Sequence, residues 1–535
     1  MIRIAGLRVP LGYDEEFLHQ RAAERLGITR GRILSLVINS RTIDTSEKDD
    51  IAYLMTLYIH VSGSENELVW SIKDKKITLG TESVYIVPAS KPAPLRPVVI
   101  GFGPAGMFAA LILAESGARP IVLERGSDVD SRRKSVSAFW ETGVLDTGTN
   151  VQFGAGGAGT FSDGKLKTGK KDARKMKILE ELIEAGAPPE ILYDSKPHIG
   201  TDRLHGAVKS IAAKIVRLGG DIHYNTRVTQ LIRRGGQLTG VGYIENGIYT
   251  ECSAGHAILA IGHSARDTFA YLESSGIRME QKPFAVGVRV EHPQSLINEL
   301  QYGRFARDSR LGAADYKMVV HLPDGRAVYT FCMCPGGSVV AAASEEGGLV
   351  TNGMSRWKRD GVNANTAILV TVDGKDLQSD HPLAGTVFQR GLEQLAFAAG
   401  GGSYSAPVQR LEDFMKDRPS KFFGDVRPTY MPGTNFSPVE TYLPAGIAGA
   451  LRCGFAEMGE WMPGYMYPDA VITGAETRST SPVRILRTES LEAVGVSGLY
   501  PCGEGAGYAG GIISAAVDGV LCAEKICDKN QSYMI

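Results

Sequence analysis

The alternation of apolar and polar positions is most explicit between residues 98 and 126. Val98, Val99 and Ile100 form a wholly apolar run, as expected of a strand buried on both faces. Gly101, Gly103 and Gly106 follow as G-x-G-x-x-G. A helix is predicted from Ala105 to about Ser116, stopped by Gly117, and a second strand at 120–123 delivers Glu124 and Arg125. Strand, glycine turn, helix, strand and acid in this order predict a βαβ unit that binds an ADP moiety. Gly101 permits the turn, Gly103 lets backbone approach a pyrophosphate, and Gly106 lets helix and strand pack. Pro104 and Ala105 open the helix, whose free N–H groups favour phosphate. Glu124 is expected to accept both hydroxyls of the adenosine ribose.

The rest of the pattern predicts an α/β protein in several parts. Residues 1–87 read as a separate small α+β accessory domain, with strands at 2–9, 32–43 and 51–61 and an amphipathic helix at 14–26. Four prolines in the next ten residues mark 88–97 as a semi-rigid linker. Residues 98–282 are expected to form the first part of a Rossmann-like domain, with helices at 178–185 and 203–218 and strands at 221–225 and 257–261. From 283 to 465 the alternation becomes that of a mainly antiparallel sheet, with a helical insertion at 391–399, read as a substrate or cap domain. Residues 466–535 return to the first fold through a short strand at 499–501 and a glycine loop entering a helix.

Two further G-x-G-x-x-G patterns occur, at Gly154/Gly156/Gly159 and Gly505/Gly507/Gly510. Neither has the strand, helix and acid of the first. A second dinucleotide fold is therefore not expected, and NAD(P)H enters only as a transient donor. One ADP fold with two remote glycine loops suits non-covalent FAD. Gly157, Gly159, Thr160, Ser162, Asp163, Gly164 and Lys165 would hold it from the middle of the chain. Gly262, at a strand end, joins them, as do Gly503, Glu504, Gly510, Gly511 and Ile512 near the C-terminus. The helix beginning near Gly511 would stabilise the anion of a reduced flavin with its N-terminal dipole.

Composition adjusts this picture in a few places. Sixty-four glycines suit a protein that wraps a cofactor in backbone. With 58 basic against 59 acidic residues, no global field recruits nucleic acid. Residues 165–177 are locally basic and are read as a solvated face; an RNA-modifying flavoenzyme would use them as a footprint. No membrane span or signal peptide is expected, and seven scattered cysteines suit reduced thiols and a cytoplasmic setting. No Cys/His spacing supports a metal site.

Several long segments resemble one family: NVQFGAGGAGTFSDGKL from Asn150, KPHIGTDRL from Lys196, VGVRVEHP from Val286, FCMCPGGSVVAAASE from Phe331, TNGMSRWKRDGVNAN from Thr351, ETRSTSPVRI from Glu476 and GLYPCGEGAGYAGGIISAAVDG from Gly498. They are similar to bacterial FAD-dependent dehydrogenases of the glutathione-reductase structural class, related to electron-transfer-flavoprotein dehydrogenases. The resemblance covers nearly the whole chain and implies FAD and a flavin-type fold split by an inserted domain. It also implies that Val228 brackets adenine through backbone atoms. It names no substrate.

The expected activity is that of an FAD-dependent oxidoreductase acting on a small molecule, with an electron-transfer protein as a further possible partner. A non-catalytic redox sensor, with 1–87 as its partner module, is the alternative outside enzymology. Arg478 and Arg484 either grip an anionic substrate or brace domain contacts. His263 either acts as a general acid or is structural. Cys332 and Cys334 share a strand two residues apart and are read as buried structural thiols.

Overall fold

The computed structural model describes residues 1–81, 84–90, 94–166 and 172–532. The expected βαβ unit sits in the middle of a five-stranded parallel sheet. Its order is Leu499–Pro501, Ala257–Leu259, Val98–Ile100, Ile121–Leu123 and Asp221–His223. Val98–Ile100 is buried throughout, as its apolar run requires. Helix Pro104–Glu115 has Ala105 through Ala114 buried, because it packs against both this sheet and helix Ile512–Ser532. Gly106 makes this packing possible: a Cβ there would lie 1.9 Å from the Gly101 carbonyl oxygen.

A seven-stranded sheet forms the second body, ordered Val319–His321, Ala327–Cys334, Asn363–Val372, Phe284–Pro293, Val471–Glu476, Ala406–Arg410 and Thr434–Phe436. Every pairing but the last is antiparallel. Strand Val471–Glu476 lies well inside this sheet, so a boundary at 465 cuts the sheet in two. Its six residues are all buried and show no alternation, which hides a long-range antiparallel partner from sequence reading. Two long helices, Ala384–Ala399 and Ala445–Trp461, pack on the sheet; the pattern indicated only the end of the first.

Residues 1–81 fold as a four-stranded sheet with helix Glu15–Leu26, capped by Asp14, whose carboxylate accepts from the Phe17 N–H at 2.7 Å. This unit is not separate. Its core side chains, among them Ile2, Leu57 and Ile59, run continuously into those of the seven-stranded sheet. Of the linker, 91–93 lie outside the described residues, while Arg96 fastens its end to Asp221 at 2.5 Å.

Glu393 ties three elements together. It lies fully buried on helix Ala384–Ala399. Its carboxylate takes two bonds from Arg266, at the start of helix Arg266–Ser274, at 2.7 and 2.8 Å. It takes two more from Arg478, just beyond strand Val471–Glu476, at 2.8 and 3.0 Å. Two bidentate pairs on one carboxylate lower its ordinary pKa strongly despite burial. Removing that charge leaves two guanidinium groups short of a partner in the interior. Glu393→Ala is expected to cost roughly 3–5 kcal/mol, read as a lower urea midpoint with an unchanged slope.

Candidate functional site

Three glycine loops meet at the carboxyl ends of the parallel strands. Gly156 N–H donates to the Phe102 carbonyl at 2.8 Å, and a Cβ on Gly157 would lie 2.9 Å from Gly103 Cα. The middle loop is thereby laid directly on the first. The C-terminal loop closes on the other side, where a Cβ on Gly505 would lie 2.4 Å from the Gly262 carbonyl oxygen. Glu124 fixes the first contact. One carboxylate oxygen accepts from Phe102 N–H at 2.6 Å, and the other from Gly126 and Gly154 N–H, both at 2.9 Å. A carboxylate has about four acceptor positions. Three are engaged by backbone N–H groups.

These loops border a cavity of about 690 Å³ that runs from the parallel sheet to the seven-stranded one. At one end it is lined by Gly101, Gly103, Pro104, Ala105, Glu124, Arg125 and Val228. Its middle is lined by Gly157, Gly159, Ser162, Asp163, Gly164, Lys165, Gly262, His263, Glu504, Gly510, Gly511 and Ile512. Its far part meets Arg478, Glu476, Asn352, Cys332 and Cys334 from the second body. The volume lies within the range of small-molecule and cofactor sites. Gly103 caps helix Pro104–Glu115 without any side-chain acceptor, which leaves its first N–H groups to an outside anion.

Four expected site residues do not line this cavity. Gly106 is taken up by helix packing, as above. Thr160 is buried, and its carbonyl accepts from Thr201 at 2.8 Å. Gly503 donates its N–H to Asp518 at 2.7 Å. Arg484 faces Glu280 at 3.4 Å on a half-exposed strand pair and lies over the Tyr508 ring, so it braces surface contacts. Two arginines six residues apart in one motif thus brace different places, one in the interior and one near the surface, because strand Val483–Ile485 turns Arg484 outward.

Other residues line the cavity with different duties from those expected. Asp163 is paired with Arg359, whose Nε lies 2.9 Å away. Lys165 Nζ donates to the Met333 carbonyl and so joins the middle loop to the second sheet. Arg125 pairs with Asp267 at 2.8 Å and lies over the Phe153 ring. Arg478 reaches the cavity but keeps its guanidinium on Glu393 and Ser344, which is the bracing role. Burial, with the charges of Arg478 and Arg266, pushes His263 down to about 3. Its ring is neutral at physiological pH and cannot serve as an imidazolium acid. Ser264 donates to Gln152 at 3.1 Å and lies 3.0 Å from His263 Nδ1, so it accepts from that nitrogen and leaves Nε2 as an acceptor. Glu504 is pushed up to about 7 by burial, against the opposing charge of Lys282.

Glu393, Arg266 and Arg359 escaped sequence reading. Arg359 lies within the TNGMSRWKRDGVNAN segment, which marked the region but not the ion pair. Glu393 had no signal, since an acid on an amphipathic helix is ordinarily solvated. Of the basic stretch, 167–171 lie outside the described residues. Arg174 pairs with Glu524 at 2.6 Å, and Lys177 with Glu181 at 2.6 Å, so both charges have acidic partners. The ligand atoms of Cys502, Asp518 and Cys522 lie within 4.8 Å of one another, but Asp518 is held by Arg487 at 2.7 Å. Among the described residues no helix is long and apolar enough to cross a membrane.

The fold is a mixed α/β arrangement of several sheets around a cofactor-sized cavity. The family described as "FAD-dependent protein, C-terminal domain-like" matches residues 283–479. An uncharacterized protein of Clostridium beijerinckii is 48% identical over 531 residues, covering 99% of each chain. The chain belongs to this family of FAD-dependent proteins. Among solved structures, the flavin-dependent brominase Bmp2 is 12% identical, over 82% of this chain and 79% of that chain, with a TM-score of 0.40. A flavoprotein/dehydrogenase from Cytophaga hutchinsonii is 12% identical, over 82% and 80%, with a TM-score of 0.35. Both likenesses are distant.

Glu504 generates a pH-dependent prediction for the cofactor-free protein. A carboxyl raised from 4.5 to about 7 on folding holds its proton more tightly in the folded state. Its stabilising contribution is full below pH 4.5 and is lost as the pH rises to about 7. The loss is at most about 3 kcal/mol. Thermal unfolding of Glu504→Gln across this window is expected to lack that decline.

Proposed function

We propose that this protein is an FAD-dependent oxidoreductase that binds its cofactor without a covalent bond along the cavity. The continuity of that cavity, from the G-x-G-x-x-G turn to the second sheet, carries the reading. Glu124 and Val228 would hold the adenosine, with Val228 contributing backbone. Gly101, Gly103 and the start of helix Pro104–Glu115 would receive the pyrophosphate. The Gly157–Lys165 and Gly503–Ile512 loops would hold the remainder, chiefly through Gly157, Gly159, Lys165, Glu504 and Gly510 to Ile512.

Bound flavin supplies hydride or electron transfer at its ring. The chain would supply position, polarity and exclusion of water. The N-terminal end of helix Ile512–Ser532 favours negative charge beside it. His263 Nε2 would accept a hydrogen bond rather than donate one. Residues from the seven-stranded sheet close the far end, where a small-molecule substrate would enter between Lys165 and Glu476. An anionic substrate would need Lys165 rather than Arg478 or Arg484, since both arginines have acidic partners. NAD(P)H, if it serves, would be a transient donor, and an electron-transfer protein is a second source. A cytoplasmic setting accords with the cysteine usage. Near-zero net charge and the acid-paired Arg174 and Lys177 weigh against an RNA substrate.

Purified protein is expected to take up FAD and show flavin absorption that is released on denaturation. Gly157→Val, which places a side chain against Gly103, is expected to lower FAD affinity at least about tenfold, or roughly 1.4 kcal/mol, with retained secondary structure. A colourless protein that takes up no added FAD would refute the reading.

A further inference from the structure

The cysteine pair on strand Ala327–Cys334 is placed differently from a structural pair of thiols. The strand pairs Phe331 with Ala367 and then Cys334 with Asn365. Cys332 and Met333 therefore face a single intervening residue, Thr366, which is a β-bulge. Cys332 has φ +42°, a left-handed conformation that is strained in a non-glycine residue and collects at functional sites. The kink brings Cys334 Sγ to 3.2 Å from the Cys332 carbonyl oxygen. Both residues line the flavin cavity. Cys334 is buried, whereas Cys332 is exposed and lines the cavity. Desolvation by the surrounding protein pushes the Cys332 thiol up to about 12, so the resting thiol is protonated. Lys165 bonds to the carbonyl of Met333, the residue between the two cysteines, and this joins the pair to the middle glycine loop.

We propose that Cys332 and Cys334 are a redox-active dithiol that exchanges an electron pair with FAD in this cavity. The inference rests on the cofactor reading above. In the oxidising direction each thiol loses one proton and one electron, a Cys332–Cys334 disulfide forms, and FAD takes up both electrons and both protons. Cys332, the accessible member, is the one that meets an incoming thiol or disulfide of low molecular weight. In the reducing direction the same disulfide returns to two thiols. The left-handed bulge kinks the short Cys-Met-Cys segment out of regular strand geometry, which favours closure between residues only two apart.

Trypsin cleavage after Arg326 and Arg356 releases residues 327–356, which contain these two cysteines and no others. Holoenzyme reduced by dithiothreitol and denatured in iodoacetamide should yield this peptide alkylated twice. Air-oxidised holoenzyme should yield it unalkylated and lighter by two hydrogens. Anaerobic dithionite titration of the oxidised holoenzyme should consume about four electrons per FAD, falling to about two in Cys332→Ser and Cys334→Ala. A doubly alkylated peptide from oxidised enzyme, with about two electrons per FAD in the wild type, would overturn the proposal. If no FAD is taken up, the oxidoreductase reading fails on its own. The pair is then tested with diamide as oxidant, and a doubly alkylated peptide after that treatment overturns it too.

Discussion

The Glu124 carboxylate accepts backbone N–H groups from the first glycine turn, from its own strand end and from the middle glycine loop. It is nearly buried, so each of those N–H groups would otherwise be stranded away from water. Fixing them brings Gly103 and Gly157 into contact, and that contact forms the inner wall of the cavity. An acid at this position therefore serves the scaffold before it serves a ligand. Replacing it would loosen two loops together, not only one hydrogen bond to a ribose.

A second carboxylate plays the equivalent part on the other side. Glu393 gathers Arg266 from the helix behind the parallel sheet and Arg478 from the end of the antiparallel one. The cavity is thus held between two buried acids, one anchored on backbone and one on guanidinium groups. The two bodies share this ion cluster, the Lys165–Met333 bond and the Arg359–Asp163 pair. The neutrality of His263 follows chiefly from its burial, and the two neighbouring arginines of the same cluster add to it. The N-terminal unit extends the apolar core of the second body instead of hanging from a linker.

The local units were legible because their signals are local. Val98–Ile100, the glycine turn, the following helix and Glu124 lie within thirty residues and obey fixed spacings. The helix at Glu15–Leu26 announced itself by its amphipathic periodicity, with Phe17, Leu18, Ala22 and Leu26 on one face. The middle and last glycine loops were also readable as loops, and most of their residues line the cavity. The limits appear wherever a residue's role depends on a distant partner. Arg478 and Arg484 look alike in ETRSTSPVRI, yet one lies on a buried carboxylate and the other near the surface. Cys332 and Cys334 are spaced as on one face of a plain strand, and the bulge opposite Thr366 leaves the first exposed and the second buried.

From the sequence by itself came the βαβ unit, the α/β class and the expectation of FAD, because glycine spacing and apolar runs encode backbone geometry directly. The tertiary structure alone decided that strand Val471–Glu476 belongs to the second sheet and that Glu124 is mostly engaged by backbone. It likewise decided that both arginines of ETRSTSPVRI brace the fold and that Cys332 is the exposed thiol of its pair. Each of these turns on which donor or charge lies within about 3 Å of a given side chain. That proximity joins residues tens to hundreds of positions apart, and no periodicity in the chain records it.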